Sequence, residues 1–129
     1  MAVIDLTIET FDSKITENEM VIIDFWAPWC GPCKTLMPLI DAAARKHPEI
    51  VFTKINIEEQ PEVAEMLQVR SIPTLVFIRE QMIIFAKVGT ITAPELEQYI
   101  DKLKGLDMHK VHQDFAQAQI ESEQRSTKP

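Results

Sequence analysis

The chain has 129 residues, of which 46% are hydrophobic and 26% are charged, and its formal net charge is −7 at pH 7. This length suits one domain with its own core, and the acidic balance argues against nucleic acid or an anionic membrane surface as a partner. No apolar stretch approaches the ~20 residues that cross a bilayer, and the acidic N-terminal segment is not typical of a signal peptide, so we expect a cytoplasmic protein.

The first half of the chain alternates between strand and helix patterns. The predicted elements are strands at residues 3–6, 20–26 and 50–57 and helices at residues 7–16 and 34–47. The strand at residues 20–26 is apolar except for Asp24, which is typical of a central strand covered on both faces. Pro38 lies inside the second helix and predicts a kink there.

The second half contains a short helix, a hairpin and a capped helix. The short helix begins at Pro61, two strands follow at residues 74–78 and 82–88, and a capping box at residues 92–95 opens the last helix. The hairpin connection Arg79-Glu80-Gln81 has no glycine, so a longer or type I based turn is expected. Gly105 is expected as the left-handed residue that ends the last helix.

This order of elements predicts an α/β fold in one domain. Alternating strands and helices favour a parallel sheet between helices, and the closing hairpin adds antiparallel strands. We assign residues 1–105 to the domain and residues 106–129 to a C-terminal extension. The extension carries an apolar stripe at Met108, Val111, Phe115 and Ala118, and three interpretations stay open: a disordered end, a helix packed on the domain, or a helix for self-association.

Both cysteines lie in Cys30-Gly31-Pro32-Cys33, where a strand is followed by a helix. The N-terminus of a helix favours a thiolate, which is the form that attacks disulfides or binds metal. A structural zinc site needs four ligands, and the remaining candidates, His47, His109 and His112, have no zinc-finger spacing to the cysteines. Redox chemistry is therefore favoured, and no metal is expected.

The segments around the cysteines resemble the thioredoxin family. They are Val21-Ile22-Ile23-Asp24-Phe25-Trp26-Ala27-Pro28-Trp29-Cys30-Gly31-Pro32-Cys33-Lys34, then Thr53-Lys54-Ile55-Asn56, Ser71-Ile72-Pro73-Thr74 and Val88-Gly89. The resemblance runs to about Lys104. It implies the thioredoxin fold, with a central five-stranded mixed sheet flanked by helices on both faces. It also implies a protein-disulfide reductase without a bound cofactor, recycled by an NADPH-dependent thioredoxin reductase.

The resemblance gives the two sulfurs different roles. Cys30 is expected to be the exposed nucleophile that forms a mixed disulfide with the substrate, and Cys33 the less accessible sulfur that resolves it. Gly31 and Pro32 restrict the loop and accompany a strongly reducing pair in this family. A disulfide oxidase or isomerase, and a non-enzymatic docking module, are the competing functions.

Asp24 has two readings. It is either a strand-end aspartate that reaches solvent or caps an N–H, or a buried proton acceptor and donor for Cys33, as the resemblance implies. Lys54 would then modulate its charge. Trp26 is interpreted equally well as core packing or as part of the site.

The resemblance also implies a substrate ledge. The Ile72–Pro73 bond would usually be trans from sequence alone, but the family implies a cis bond facing the disulfide. Trp29, Ile72, Gly89 and Thr90 would complete an apolar rim for an extended substrate segment. The expected partners are thioredoxin reductase and protein disulfides, and the expected state is a monomer with self-association through the extension left open.

Overall fold

The structure is a computed structural model that describes residues 2–127. The elements of this part of the chain are β1 (Val3–Asp5), α1 (Ile8–Glu17), β2 (Met20–Trp26), α2 (Gly31–Lys46), β3 (Val51–Asn56), α3 (Pro61–Met66), β4 (Thr74–Arg79), β5 (Met82–Val88), α4 (Ala93–Lys104) and α5 (Met108–Thr127). The predicted element order is confirmed. Helix α2 begins at Gly31, three residues earlier than expected, and continues through Pro38.

The five strands form one mixed sheet in the order β1-β3-β2-β4-β5. Strands β1, β3 and β2 are parallel to one another, whereas β4 is antiparallel to both β2 and β5. Strand β2 is central and carries an almost uninterrupted apolar sequence, because both of its faces are covered. The predicted mixed sheet is therefore confirmed.

Each face of the sheet has its own core. Ile22 belongs to a cluster with residues of α2 and α4, and its neighbour Ile23 belongs to a cluster with residues of α1 and α3. This alternation follows from the two-residue period of a strand. The helices therefore lie on both faces, as predicted, and the even-numbered positions of β2 face α2.

The hairpin between β4 and β5 differs from the prediction. Arg79 pairs with Met82, which leaves a two-residue loop with positive φ at both Glu80 (50°) and Gln81 (69°). Positive φ at both central residues is the signature of a type I′ turn, whose twist matches that of the flanking strands. The expectation of a longer or type I based turn is wrong, because strand pairing outweighs the conformational cost at these two residues.

The end of α4 also differs from the prediction. Gly105 has φ −86°, so it is not left-handed, and its N–H donates to the Asp101 carbonyl at 3.0 Å. The terminal carbonyls are bound instead by the Arg79 guanidinium, whose Nη1 lies 2.9, 3.1 and 3.3 Å from three acceptors. These are the carbonyl oxygens of Leu103, Lys104 and Leu106. A side chain from β4 thus replaces the backbone cap that the sequence suggested.

The predicted capping box at the other end of α4 is present. The Glu95 N–H donates to Thr92 Oγ1 at 3.3 Å, and the Thr92 N–H donates to Glu95 Oε1 at 3.1 Å. These two bonds satisfy donors that a helix start leaves without partners.

Helix α5 follows α4 and is mostly exposed. Met108 and Val111 are half-buried, but Phe115 is 59% exposed and the described side chains after it are exposed. His112 Nε2 lies 2.9 Å from Glu80 Oε1. The interpretation as a disordered end does not agree with the structure, and the packed-helix interpretation holds only for the first turn. Among residues 2–127, no helix is both long and apolar enough to cross a membrane.

Candidate active site

The two cysteines lie at the N-terminus of α2, and Cys30 is its N-cap residue. They form a disulfide with a Cα–Cα distance of 5.3 Å. The Cys33 N–H donates to the Cys30 sulfur at 3.2 Å, and the Lys34 N–H donates to the Cys30 carbonyl at 3.3 Å. The Cys30 sulfur therefore receives a helix N–H and the positive end of the helix dipole, both of which stabilise a thiolate once the disulfide opens.

The disulfide is largely covered. Cys30 is 5% exposed and Cys33 is 1% exposed, so the expectation of an exposed Cys30 is wrong for the disulfide form, although Cys30 is the more accessible of the two. They form a small apolar cluster with Ala27, against which Trp26, Ile57 and Ile72 pack. The structure thus brings Ile72 into contact with the cysteine cluster, although it lies far from the cysteines in sequence.

A shallow apolar groove lies beside the disulfide. Its volume is about 260 Å³, and its lining residues are Trp29, Ile57, Val69, Arg70, Ser71 and Ile72. Trp29 is 66% exposed, which is unusual for a large aromatic side chain and typical of a contact surface. Sequence reasoning singled out Trp29 and Ile72 but missed Ile57 and Arg70, which carry no motif of their own.

The Ile72–Pro73 peptide bond is cis, which confirms the expectation from the resemblance. The Pro73 carbonyl accepts a hydrogen bond from the Gly89 N–H at 2.9 Å. Gly89 has φ 92°, a conformation that favours glycine, and Thr90 beside it is exposed. The loop after β5 is therefore held next to the cis proline.

Asp24 is fully buried in β2. Within the described residues, neither of its carboxylate oxygens has a hydrogen-bond partner. Burial raises the pKa of Asp24 from 3.8 to about 7, although the positive charge of Lys54 opposes this shift. The reading of Asp24 as a strand-end residue that reaches solvent or caps an N–H is therefore wrong. A carboxyl that titrates near neutral pH is suited to accept and return a proton.

Lys54 lies on β3 directly beside Asp24 in the sheet register. Its Nζ is 3.8 Å from Oδ1 of Asp5 and 5.6 Å from the centre of the Trp26 ring. The indole N–H of Trp26 is buried and has no hydrogen-bond partner among the described residues. Asp5 was not singled out from the sequence, because only the pairing of β1 with β3 brings it to Lys54.

The histidines weighed as zinc ligands have other contacts or lie apart. His47 Nε2 lies 2.9 Å from Oε2 of Glu97, and its Nδ1 lies 2.7 Å from Nζ of Lys104. His112, which lies on α5, pairs with Glu80 in the β4–β5 turn. Across residues 2–127, no group of three or more histidine, cysteine, aspartate or glutamate side chains could hold a metal ion.

Comparisons with known proteins agree with this geometry. The family model described as Thioredoxin matches residues 2–102. A protein named putative thioredoxin 2, from Streptomyces coelicolor, is 43% identical over 119 residues, which are 92% of this chain and 89% of that protein. A thioredoxin of Buchnera aphidicola is 33% identical over 102 residues, or 78% of this chain and 94% of that protein.

Solved structures show the same relationship. A thioredoxin from Plasmodium falciparum has a TM-score of 0.72 and 34% identity, covering 77% of this chain and 97% of that one. A mutant thioredoxin from Halobacterium salinarum has a TM-score of 0.76 and 28% identity, covering 81% of this chain and 92% of that one. With its redox-active cysteine pair at the start of α2, the chain therefore belongs to the thioredoxin family and is a thiol–disulfide oxidoreductase that reduces protein disulfides.

Proposed function

We propose that Cys30 is the attacking sulfur and Cys33 the resolving sulfur of this reductase. The observation that carries the assignment is the hydrogen bond from the Cys33 N–H to the Cys30 sulfur at the start of α2, since a helix N–H and the helix dipole lower a thiol pKa. In the dithiol form, the Cys30 thiolate attacks one sulfur of a substrate disulfide. A mixed disulfide forms, and the other substrate sulfur leaves as a thiolate.

Cys33 then completes the exchange. Its thiolate attacks the Cys30 sulfur, the mixed disulfide breaks, and the second substrate sulfur leaves. Two electrons pass to the substrate, and the Cys30–Cys33 disulfide remains. Gly31 and Pro32 are exposed at the turn into α2 and keep the two sulfurs within bonding reach.

Asp24 is the proposed proton acceptor for the resolving step. The Cys33 thiol is nearly fully buried, so it has little access to solvent when it must lose its proton. Asp24 lies on the sheet face that α2 covers, and its pKa of about 7 is near the value at which a base works best in neutral solution. Lys54 modulates this carboxyl through its charge.

The apolar groove is the proposed substrate site. An extended substrate segment would lie against Trp29 and Ile72, with its backbone along the edge formed by Ile72 and Pro73. Gly89 and Thr90 would border it on the other side. Recognition of backbone and apolar shape suits a reductase that accepts many proteins.

The proposed recycling partner is an NADPH-dependent thioredoxin reductase, in line with membership of the family. We place the protein in the cytoplasm, because a reducing dithiol suits a compartment in which thiols are kept reduced. No step of the exchange needs a second copy of the chain, so the redox unit is proposed to work as a monomer.

The test is turnover of a protein disulfide with NADPH and thioredoxin reductase. We expect Cys33→Ser to lose turnover and to accumulate a mixed disulfide through Cys30, seen on a non-reducing gel. Cys30→Ala should form none, and it serves as the matched control. Turnover that survives Cys30→Ala, or an absence of trapped substrate in Cys33→Ser, would contradict the assigned roles. A redox potential near that of a disulfide oxidase such as DsbA would overturn the reductase direction.

We propose that two copies of the chain associate through helix α5 of the C-terminal extension. The alignment with the Streptomyces coelicolor protein spans 119 residues and so reaches beyond residue 102, where the family match ends. An isolated helix is marginal in water, and the exposed stripe around Phe115 has no cover from the domain. Pairing of two copies through α5 would cover this stripe.

Sedimentation of the full chain over a range of concentrations tests this pairing. We expect a concentration-dependent dimer that Phe115→Glu abolishes. Gln113→Glu adds the same charge on the opposite side of α5 and should leave the dimer intact. A monomer at all concentrations, or equal loss in both variants, would reject the pairing without affecting the redox assignment.

A further inference from the structure

Three charged residues form a row across the parallel part of the sheet. Asp5 of β1 is in register with Lys54 of β3, and Lys54 is in register with Asp24 of β2. Side chains in register on neighbouring strands point to the same face and lie close together. The row runs from the exposed edge, where the Asp5 side chain is 70% exposed, to the fully buried Asp24. Lys54 lies between the exposed Asp5 and the buried Asp24.

The Lys54 ammonium group is on the outer side of this row. Its Nζ is 3.8 Å from Oδ1 of Asp5 and 5.6 Å from the centre of the Trp26 ring. Neither carboxylate oxygen of Asp24 accepts a hydrogen bond from it. The lysine is thus beside Asp24 in register but is paired with Asp5.

We propose that Asp5 is a positioning residue of this reductase, which holds the Lys54 ammonium towards the sheet edge and so limits the influence of this charge on the buried Asp24. This inference rests on the proposed function, in which Asp24 accepts the proton of Cys33. Asp5 acts through Lys54 and does not touch the reacting sulfurs.

The physical reason is competition for one cation. A positive charge close to a carboxyl favours its ionised form and lowers its proton affinity. When Asp5 holds the ammonium, this effect on Asp24 is reduced. Without Asp5, the flexible Lys54 side chain is free to approach the buried carboxylate. Asp24 would then bind its proton less tightly and be a weaker base for Cys33.

Other charged groups around the row have partners of their own. Asp41 and Arg45 of α2 line a groove of about 640 Å³ with Lys54, but they pair with each other. Glu59 lines a second groove of about 380 Å³ with Asp5 and Lys54.

Glu59 accepts a hydrogen bond from the Asn56 amide at 2.9 Å. The residue opposite Asp24 on β4 is the apolar Leu75, and Lys54 is the charged group that acts on the Asp24 carboxyl. In the part of the chain that the structure describes, Asp5 is the ion-pair partner of Lys54.

The experiment is a pH titration of the Asp24 carboxyl carbon by NMR, on the full-length disulfide form. Four proteins are compared: wild type, Asp5→Asn, Lys54→Met and the double variant. Because exposed ion pairs are weak, we expect Asp5→Asn to lower the Asp24 midpoint by roughly 0.2–0.5 pH units. Lys54→Met should raise the midpoint, and adding Asp5→Asn to it should change nothing further. Asp12→Asn, which removes an exposed charge on α1, is the control.

Two results would overturn the inference. One is an unchanged midpoint in Asp5→Asn. The other is a shift of equal size in the Lys54→Met background, which would mean that Asp5 acts directly and not through the lysine. The pH dependence of the resolving step is measured in parallel. If the Asp24 midpoint moves but the pH–rate profile does not, the proton-transfer role of Asp24 fails while the coupling from Asp5 through Lys54 stands.

Discussion

Replacing Asp24 by asparagine should remove a pH-dependent loss of stability. The pKa of this carboxyl is about 7 in the folded chain, against an ordinary value of 3.8. Between these two values the folded state holds a proton that the unfolded state has released. Stability contributed by this proton is fully present below about pH 4, decreases as the pH rises, and is absent above about pH 7.

The size of the effect follows from the shift. A difference of about 3 pKa units corresponds to about 4 kcal/mol at 1.36 kcal/mol per unit. Asparagine does not titrate, so the free energy of unfolding of the Asp24→Asn variant does not decrease in this way as the pH rises. Relative to wild type, Asp24→Asn should therefore gain about 4 kcal/mol between pH 4 and pH 8. Burial of an amide without partners adds an unfavourable offset of about 1–3 kcal/mol that is independent of pH.

The assay is urea unfolding of the disulfide form at several pH values. In this form Cys30 and Cys33 do not titrate. The lowered pKa values of Glu49, Glu95 and Glu97 are common to both proteins and cancel in the difference. Asp12→Asn controls for the loss of one negative charge. A difference between Asp24→Asn and wild type that is constant from pH 4 to pH 8 would refute the reasoning.

Two further predictions concern the corrected parts of the fold. Arg79→Ala should lower the free energy of unfolding by about 2 kcal/mol, because it removes the donor to three carbonyls at the end of α4. Arg79→Lys should recover only part of this free energy, since lysine lacks the planar fork of the guanidinium. If urea unfolding shows no loss of stability in Arg79→Ala, water replaces the guanidinium and the prediction is wrong. Gln81→Gly should raise the free energy of unfolding by about 0.5–1 kcal/mol, because its φ of 69° is costly for a residue with a Cβ. Gln81 is the better site for this substitution, because Glu80 also contacts His112. A lower thermal unfolding midpoint in Gln81→Gly would show that the positive φ does not strain the turn.

The two corrections have a common cause. The residues of the β4–β5 turn do not favour positive φ, yet the pairing of Arg79 with Met82 leaves room for only two loop residues. Gly105 lies at the end of α4, but the guanidinium of Arg79 on β4 donates to the terminal helix carbonyls in place of a left-handed glycine cap. In the turn, the pairing of two whole strands outweighs the preference of the two loop residues, and at Gly105 a contact between segments 24 residues apart outweighs the preference of the helix end. The pattern of a few neighbouring residues reports neither effect.

Helix α5 shows the same limit in another form. The spacing of Met108, Val111 and Phe115 indicated an apolar stripe, but spacing does not say what covers it. The structure shows that the domain covers only the first turn. For this segment, sequence established the periodicity and the tertiary structure established the exposure.

By itself, the sequence determined the order of the elements and the position of the cysteine pair at a helix start, because hydrophobic period and capping are local properties. Family resemblance added the cis Pro73 and the chemistry. Only the tertiary structure decided that Asp24 is fully enclosed and that Lys54 is bound to Asp5 beside it. These depend on which strands pair and in what register, and that choice is made by the packing of the whole sheet.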